Sequence, residues 1–401
     1  MTSIFPQQTL LKQYREQFPA LANKAYFNYG GQGPMPQVAL AAIQQSHAYI
    51  QRSGPFSGEV NAWVMQESGQ TRQAIATELG TPPETITLTE DVSVGCNIAL
   101  WGIEWQAGDH LLLTDCEHPG IIAAAQEIQR RFQIEISTCA LMATLNQGDP
   151  VTAILDQIRP NTRLVVLSHI LWNTGQVLPL AAIVDACHTY RAGNNPVRVL
   201  VDAAQSVGVL PLNLSELGAD FYAFTGHKWW CGPEGVGGLY VRPEALADLH
   251  PTFIGWRGIT VDEAGRPIGQ KADGRRFEIA TSAYPLYAGL RAAIAIQQQW
   301  GTAQERYQRI QDLSQYLWQR LVDLPAVSCL RTAPPEAGLV SFKVAGNQHL
   351  QLVKWLETQG FMVRTILDPS CVRACVHYFT LEAEIDQLVE AIQTYCQRGE
   401  G

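Results

Sequence analysis

The sequence predicts an α/β fold, in which a mainly parallel seven-stranded sheet forms a large domain and a smaller α+β domain closes the chain. Three observations lead there. Short β-rich runs alternate with amphipathic segments through the first two-thirds of the 401 residues, polar residues gather where those runs end, and from about residue 282 long helical patterns take over. Alternation of this kind is the mark of crossover units that build a parallel sheet covered on both faces.

In chain order the candidate strands are TITLTE (85–90), HLLLTDCE (110–117), FQIEIST (132–138), RLVVLSHI (163–170), VRVLVDAAQ (197–205), FYAFTGHK (221–228) and VGGLYVRP (236–243). Between them lie helical patterns such as PGIIAAAQEIQRRF and LAAIVDACHTYR, and the glycine-rich stretch 232–238 reads as a turn between neighbouring strands. Two long helices follow from 282, then the short strands LVSFKV and VRACVHYF, and a last helix after Thr380 with Glu382, Glu384 and Asp386 in its early turns. Acidic residues there suit the helix dipole. The expected division is an N-terminal segment 1–25 packing with the small domain, a large domain 26–282 and a small domain 283–401.

A chain of 401 residues exceeds the size at which one core keeps growing, which supports two domains. Lys+Arg at 28 against Asp+Glu at 37 gives a net charge of -9, with no basic block to track a phosphate backbone or an anionic membrane. Nucleic acid and membrane are therefore excluded as expected partners. Nine scattered cysteines with no Cys-x-x-Cys pair read as reduced thiols, and no metal site is expected. The N-terminus has no apolar core of a signal peptide, so a cytoplasmic location is expected.

Ligands of open α/β sheets bind beyond the carboxyl ends of the strands. Glu117 and His118 end one run, His169 to Asn173 another, Asp202 and Gln205 a third, and Thr225, His227 and Lys228 a fourth. A pyridoxal phosphate site needs a lysine to engage the aldehyde, an anion at the pyridine nitrogen, a flat side chain over the ring and donors around the phosphate. Lys228, Asp202 and His118 supply the first three, and Gln205 reaches for the ring's phenolic oxygen. The turn Thr89–Ser93, with Asp91 and Val92 opening a helix, offers amide groups for the phosphate together with Thr225 and His227. Alone, Asp202 reads as a strand-end cap and His118 as a loop histidine; their conjunction with Lys228 carries the inference.

The order of VDAAQSVG, TGHKWWCGPEGVGGLYV, FEIATSAY and VRACVHYFTLEAEID resembles the cysteine-desulfurase-like branch of the fold-type-I pyridoxal phosphate enzymes. These class V aminotransferases share an aspartate aminotransferase-like large domain, and within the branch the chain is most similar to the cystine C–S lyases. The resemblance implies that Lys228 carries the cofactor, Asp202 pairs with the pyridine nitrogen, His118 stacks on the ring, and Thr225 and His227 hold the phosphate. It further implies that Thr281 of FEIATSAY reaches the phosphate of the neighbouring subunit in a homodimer with shared sites. The same resemblance implies a sulfur amino acid as substrate and a sulfur acceptor as partner, as in iron–sulfur cluster assembly.

Two departures shape the expected chemistry. Where the family places an asparagine three residues before the glycine of HILWNTGQ, this chain has Trp172, with Asn173 one place later as the cofactor-binding candidate. Desulfurases also carry a nucleophilic cysteine on a loop between two arginine-bearing segments, whereas Arg364 and Arg373 are separated here only by TILDPSCV. Without that loop β-elimination is expected, with Arg373 and Arg364 on the substrate carboxylate. Gly30, Gly31, Trp256 and Arg257 are then expected to line a mouth wide enough for cystine. A desulfurase acting through Cys371, an aminotransferase or epimerase, and a non-catalytic protein on the same fold remain open on the sequence alone.

Overall fold

The computed structural model describes residues 11–192 and 195–398. All seven sequence-derived strands form and join one sheet: β1 (Ile86–Thr89), β2 (His110–Thr114), β3 (Glu135–Cys139), β4 (Thr162–Ser168), β5 (Arg198–Asp202), β6 (Phe221–Thr225) and β7 (Gly237–Val241). Their order across the sheet is β1-β7-β6-β5-β4-β2-β3. Strands β2 to β6 pair in parallel, and β7 alone runs antiparallel to both its neighbours.

Residue alternation explains why this sheet is buried on both sides. On β4, Leu164 and Val166 enter the core on one face while Val165 and Leu167 enter the core on the other. Successive side chains of a strand point to opposite faces, so a near-continuous apolar run demands cover on both. Helices α3 (Val92–Gly102) and α4 (Pro119–Phe132) cover one face; α1 (Gln37–Ser53), α2 (Gly58–Leu79) and α5 (Leu180–Thr189) belong to the other side. A Cβ on Gly237 would lie 2.9 Å from Cα of Asp91, so glycine at the start of β7 lets the turn into α3 approach the sheet closely.

Helix α6 (Tyr284–Trp300) buries Tyr284, Tyr287, Leu290 and Ile294 in the same core as β4 and β5. Packing therefore groups residues 284–300 with the large domain, and the separate small-domain core begins with α7 (Ala303–Val322). That core is covered by α7, α8 (His349–Thr358) and α9 (Glu382–Arg398) on a four-stranded antiparallel sheet of β8 (Val327–Cys329), β9 (Leu339–Val344), β10 (Arg364–Leu367) and β11 (Ser370–Cys375), ordered β8-β9-β11-β10. Strand β11 ends at Cys375; His377 to Phe379 leave it to stack with Tyr29 and Trp229.

The described part of the N-terminal segment, expected to pack with the small domain, touches both units: Tyr14 meets Trp300 of α6 with ring centroids 5.2 Å apart, and the Gln17 carbonyl accepts from the Gln37 amide at 2.6 Å. Phe18 stacks on Phe379 at 4.6 Å, and Arg15 donates to the Phe379 carbonyl at 2.7 Å. Residues 1–10 of that segment lie outside the described residues. Ala25–Tyr26 pairs in parallel with Phe361–Met362, so the chain enters the large domain from the edge of the small one. No described helix is long and apolar enough to cross a membrane.

Candidate active site

Parallel strands deliver their carboxyl ends to one rim, and the register there is fixed by the ladder: Ser168 lies opposite Asp202, and Asp202 opposite Ala223. Beyond the rim is a cavity of about 240 Å³ between the two domains. Gly30, Gly31, Asp91, Val92, His118, Asp202, Gln205, His227, Lys228, Arg364 and Arg373 all line it, as do Ser93, Ser168 and Trp172. Eleven of the residues expected from the sequence are thus brought together from segments as distant as 30 and 373.

The floor is organised by buried polar contacts. Gln205 donates from Nε2 to the Gly30 carbonyl at 2.9 Å and accepts from Trp229 Nε1 at 2.9 Å, which fixes its amide and leaves one N–H toward the cavity. A Cβ on Gly30 would lie 2.8 Å from Arg373 Nη2 and 3.0 Å from Gln205 Oε1, so only glycine admits both side chains. His118 caps α4, accepting at Nδ1 from the Gly120 amide at 3.2 Å, which orients its ring. Asp91 caps α3 and accepts from the Val94 amide at 2.9 Å, leaving the other first-turn amides for an anion.

Electrostatics single out Lys228. Burial pushes its ammonium down to about 8; Asp202 opposes this, while Arg373 and Arg364 push the same way as burial. Among the described residues no carboxylate forms an ion pair with Lys228, Arg364 or Arg373 within 4.0 Å. Arg364 and Arg373 stand directly opposite each other on β10 and β11. Like charges in that position destabilise a sheet unless an anion joins them. Burial lowers the pKa of His118 and of His227, so both rings are held toward the neutral form.

Glu117, whose only sequence signal is its place at a strand end, is buried beneath this cavity. Its carboxyl group contacts Thr114 Oγ1 at 2.5 Å, the Ser168 amide at 3.2 Å and Ser168 Oγ at 3.0 Å. Burial pushes it up to about 8, the hydroxyl of Thr114 opposes this, and the charge of Asp202 raises it further. A carboxyl group whose folded pKa is raised weakens the fold as pH climbs through its unfolded value near 4.3. The loss is complete once pH passes the folded value of about 8. The melting temperature of the cofactor-free protein is therefore expected to fall between about pH 5 and pH 8, and the fall is expected to shrink in Glu117→Gln. Identical pH dependence of melting in the two proteins would refute this.

Five of the sequence-derived candidates stand away from the cavity wall. Thr225 is not among the lining residues; its Oγ1 bonds Nδ1 of the lining His227 at 2.7 Å, so it stands one contact behind the wall. Asn173 donates from Nδ2 to the Asp368 carbonyl at 3.3 Å, and its buried Oδ1 has no hydrogen-bond partner among the described residues. Arg257 is buried in an ion pair with Glu278 at 2.6 Å and over the Tyr284 ring, outside the residues that line this chain's cavity. Trp256 is 59% exposed on the outer surface. Thr281 is exposed beside a neighbouring cavity of about 630 Å³ that shares Asp91 and Ser93 with the first.

The shortened arginine segment is a tight hairpin. Leu367 pairs with Ser370, so only Asp368 and Pro369 link β10 to β11. Cys371 is fully buried on β11, outside the cavity lining, and burial pushes its thiol up to about 11. No cysteine among the described residues lines the cavity. The residues present fit a phosphate-bearing aldehyde cofactor. A half-buried amine without an ion-paired partner among the described residues, an acid at a strand end, a capped histidine and a helix N-terminus meet in one cavity. Lys228, Asp202, His118, Gln205 and the first turn of α3 are the residues that would hold pyridoxal phosphate.

Comparison with known proteins agrees with this architecture. The chain is 53% identical to C-DES, described as a cystine C–S lyase and solved in complex with its reaction product cysteine persulfide. That match has a TM-score of 0.92 over 94% of this chain and 99% of the other. A C-DES lysine-to-alanine mutant with glycine covalently linked to the PLP cofactor matches at 53% identity and a TM-score of 0.93, over 94% of this chain and 98% of the mutant. A probable cysteine desulfurase of Mycolicibacterium paratuberculosis is 29% identical over 92% of this chain, which spans 54% of that relative's length. The model of the aminotransferase class-V family matches residues 25–388, and with sheet order, cavity and family pattern in agreement, the chain belongs to that family.

Proposed function

We propose that the protein is a pyridoxal-phosphate-dependent C–S lyase that cleaves L-cystine by β-elimination, giving cysteine persulfide, pyruvate and ammonia. The observation that carries the reading is the two-residue hairpin between Arg364 and Arg373. It leaves no loop to bring a thiol to the cavity; Cys371, beside the hairpin, is buried with its thiol pushed up to about 11, and Cys375, close enough to act on the charges of Arg373 and Lys228, is buried on the same strand outside the cavity lining. Among the described residues no thiol lines the cavity to accept the sulfur, which favours elimination. The 53% identity to a lyase whose product is cysteine persulfide supports the same reaction and the same cofactor.

The side chains have separable tasks. Arg373 and Arg364 present planar donors to the carboxylates of the amino acid. Bound in the cavity, pyridoxal phosphate supplies an electron sink for the pair released when the Cα–H bond breaks. Lys228, with its amine poised near 8, takes that proton. Asp202 supplies the negative charge that keeps the cavity floor matched to a cation, and His118 holds one wall. The sulfur departs as a persulfide anion, a weaker base than the thiolate that cysteine itself would release.

Thr281 and the exposed Phe253, Ile254 and Ile279 around it support a homodimer in which Thr281 reaches the phosphate site of a second copy. A cytoplasmic location and delivery of the persulfide to a sulfur acceptor complete the proposal. The test of the reaction is its carbon product. Pyruvate from cystine, with turnover within about twofold of wild type in Cys371→Ala, is the expected result for a thiol that takes no part. Alanine as the product, together with loss of turnover in folded, cofactor-loaded Cys371→Ala, identifies a desulfurase instead.

A further inference from the structure

Trp172 occupies the position where the family pattern has asparagine, and its side chain lines the cavity. Its ring meets His118 edge-on, with centroids 5.7 Å apart and an interplanar angle of 66°. Its carbonyl accepts from Arg373 Nη1 at 2.5 Å, so one residue touches both the histidine wall and the arginine. Two buried donors remain without a protein acceptor at this place, the indole Nε1 of Trp172 and Nε of Arg373. Arg373 is 1% exposed and has no carboxylate partner among the described residues. A buried N–H left unpaired is costly, and the indole N–H together with an Arg373 guanidinium that among the described residues meets only the Cys375 thiol and the Trp172 carbonyl is suited to an anionic acceptor with two oxygens. An amino acid brings one.

We propose that Trp172 is a substrate-binding residue whose indole N–H donates to the α-carboxylate of the amino acid beside Arg373. The indole offers a single donor and no acceptor, so it selects for an anionic or carbonyl oxygen at that point. An asparagine amide presents both a donor and an acceptor and is less discriminating. The inference rests on the proposed reading that an amino acid binds next to Lys228, and it is independent of which bond is then broken.

The test uses two ligands that differ only by the carboxylate, L-alanine and ethylamine, titrated into the cofactor-loaded enzyme and followed by cofactor absorbance. Trp172→Phe keeps a ring against His118 and removes the N–H. Its Kd for L-alanine is expected to rise about tenfold or more, the range for one hydrogen bond to a charged group, while that for ethylamine changes by less than about threefold. Equal weakening of both ligands would mean that Trp172 acts only by packing on His118, and unchanged alanine binding would mean that the N–H has no role; either overturns the proposal. A second measurement needs no variant. In wild-type protein with ¹⁵N-labelled indoles, L-alanine is expected to move an indole N–H signal downfield and ethylamine to leave it in place; a spectrum in which alanine moves none also overturns the proposal. Neither ligand contains sulfur, so a failed lyase assay leaves this outcome intact, and a failed titration leaves pyruvate formation intact.

Discussion

Lys228→Ala is expected to lower turnover about 10⁴-fold or more, the upper end for loss of a general base, because the same amine also anchors the cofactor. Its position is set by the backbone around it. The carbonyl of His227 accepts from the Gly33 amide at 2.8 Å, and that of Lys228 accepts from the Cys231 amide at 3.0 Å, so the lysine sits on a braced turn just past β6. With the pKa near 8, roughly a tenth of the amine is unprotonated at pH 7, against well under a thousandth at its ordinary value of about 10.4. Borohydride reduction of the loaded wild-type enzyme and peptide mapping is expected to put the pyridoxyl label on Lys228, and a label on another lysine refutes the assignment. The variant also tests the shared site. Mixed with an inactive Thr281→Ala chain, Lys228→Ala is expected to regain activity in heterodimers that hold one intact site. No recovery, with subunit exchange shown independently, counts against Thr281 crossing to the partner.

Asp202→Asn is expected to cost about a hundredfold in kcat with the cofactor still bound, near 3 kcal/mol in barrier, as for other preorganised electrostatic groups. The substitution nearly conserves shape, and asparagine can still accept from the Ala204 amide, which now bonds Oδ1 at 2.9 Å. What changes is the charge. Asp202 raises the pKa values of Lys228 and His118 against burial and pushes Glu117 up. Removing that charge lowers the pKa of Lys228 further, so the limb of the pH–rate profile that reports its deprotonation is expected to move to lower pH. Turnover equal to wild type in Asp202→Asn would reduce the aspartate to a strand-end cap.

The proposed reaction and the fold place different demands on the two arginines. Arg373 is wholly buried, burial lowers its pKa, and no carboxylate among the described residues pairs with it, so a bound anion suits it. Arg364 is exposed at the mouth. A substrate with a carboxylate at each end suits one buried and one solvated guanidinium, and cystine is such a molecule.

Much of this was legible in the sequence. The seven strands of the large sheet are written in local alternation and apolar runs, and the residues that end them carry the chemistry because strand ends in a parallel sheet share a rim. Lys228, Asp202, His118, Gln205, Arg373 and the start of α3 follow from that rule and from motif order. Other features depend on partners that no local pattern names. Asn173 faces Asp368, Arg373 reaches the Trp172 carbonyl, and Arg257 is committed to Glu278 instead of to the cavity. Glu117 and Trp172 gained roles only when burial and unpaired donors could be read, since an unsatisfied N–H is a property of surroundings. Periodicity and strand-end position are local and survive in one dimension; which side chain a buried donor or charge meets is set by packing across the domain boundary, and only the tertiary structure decides it.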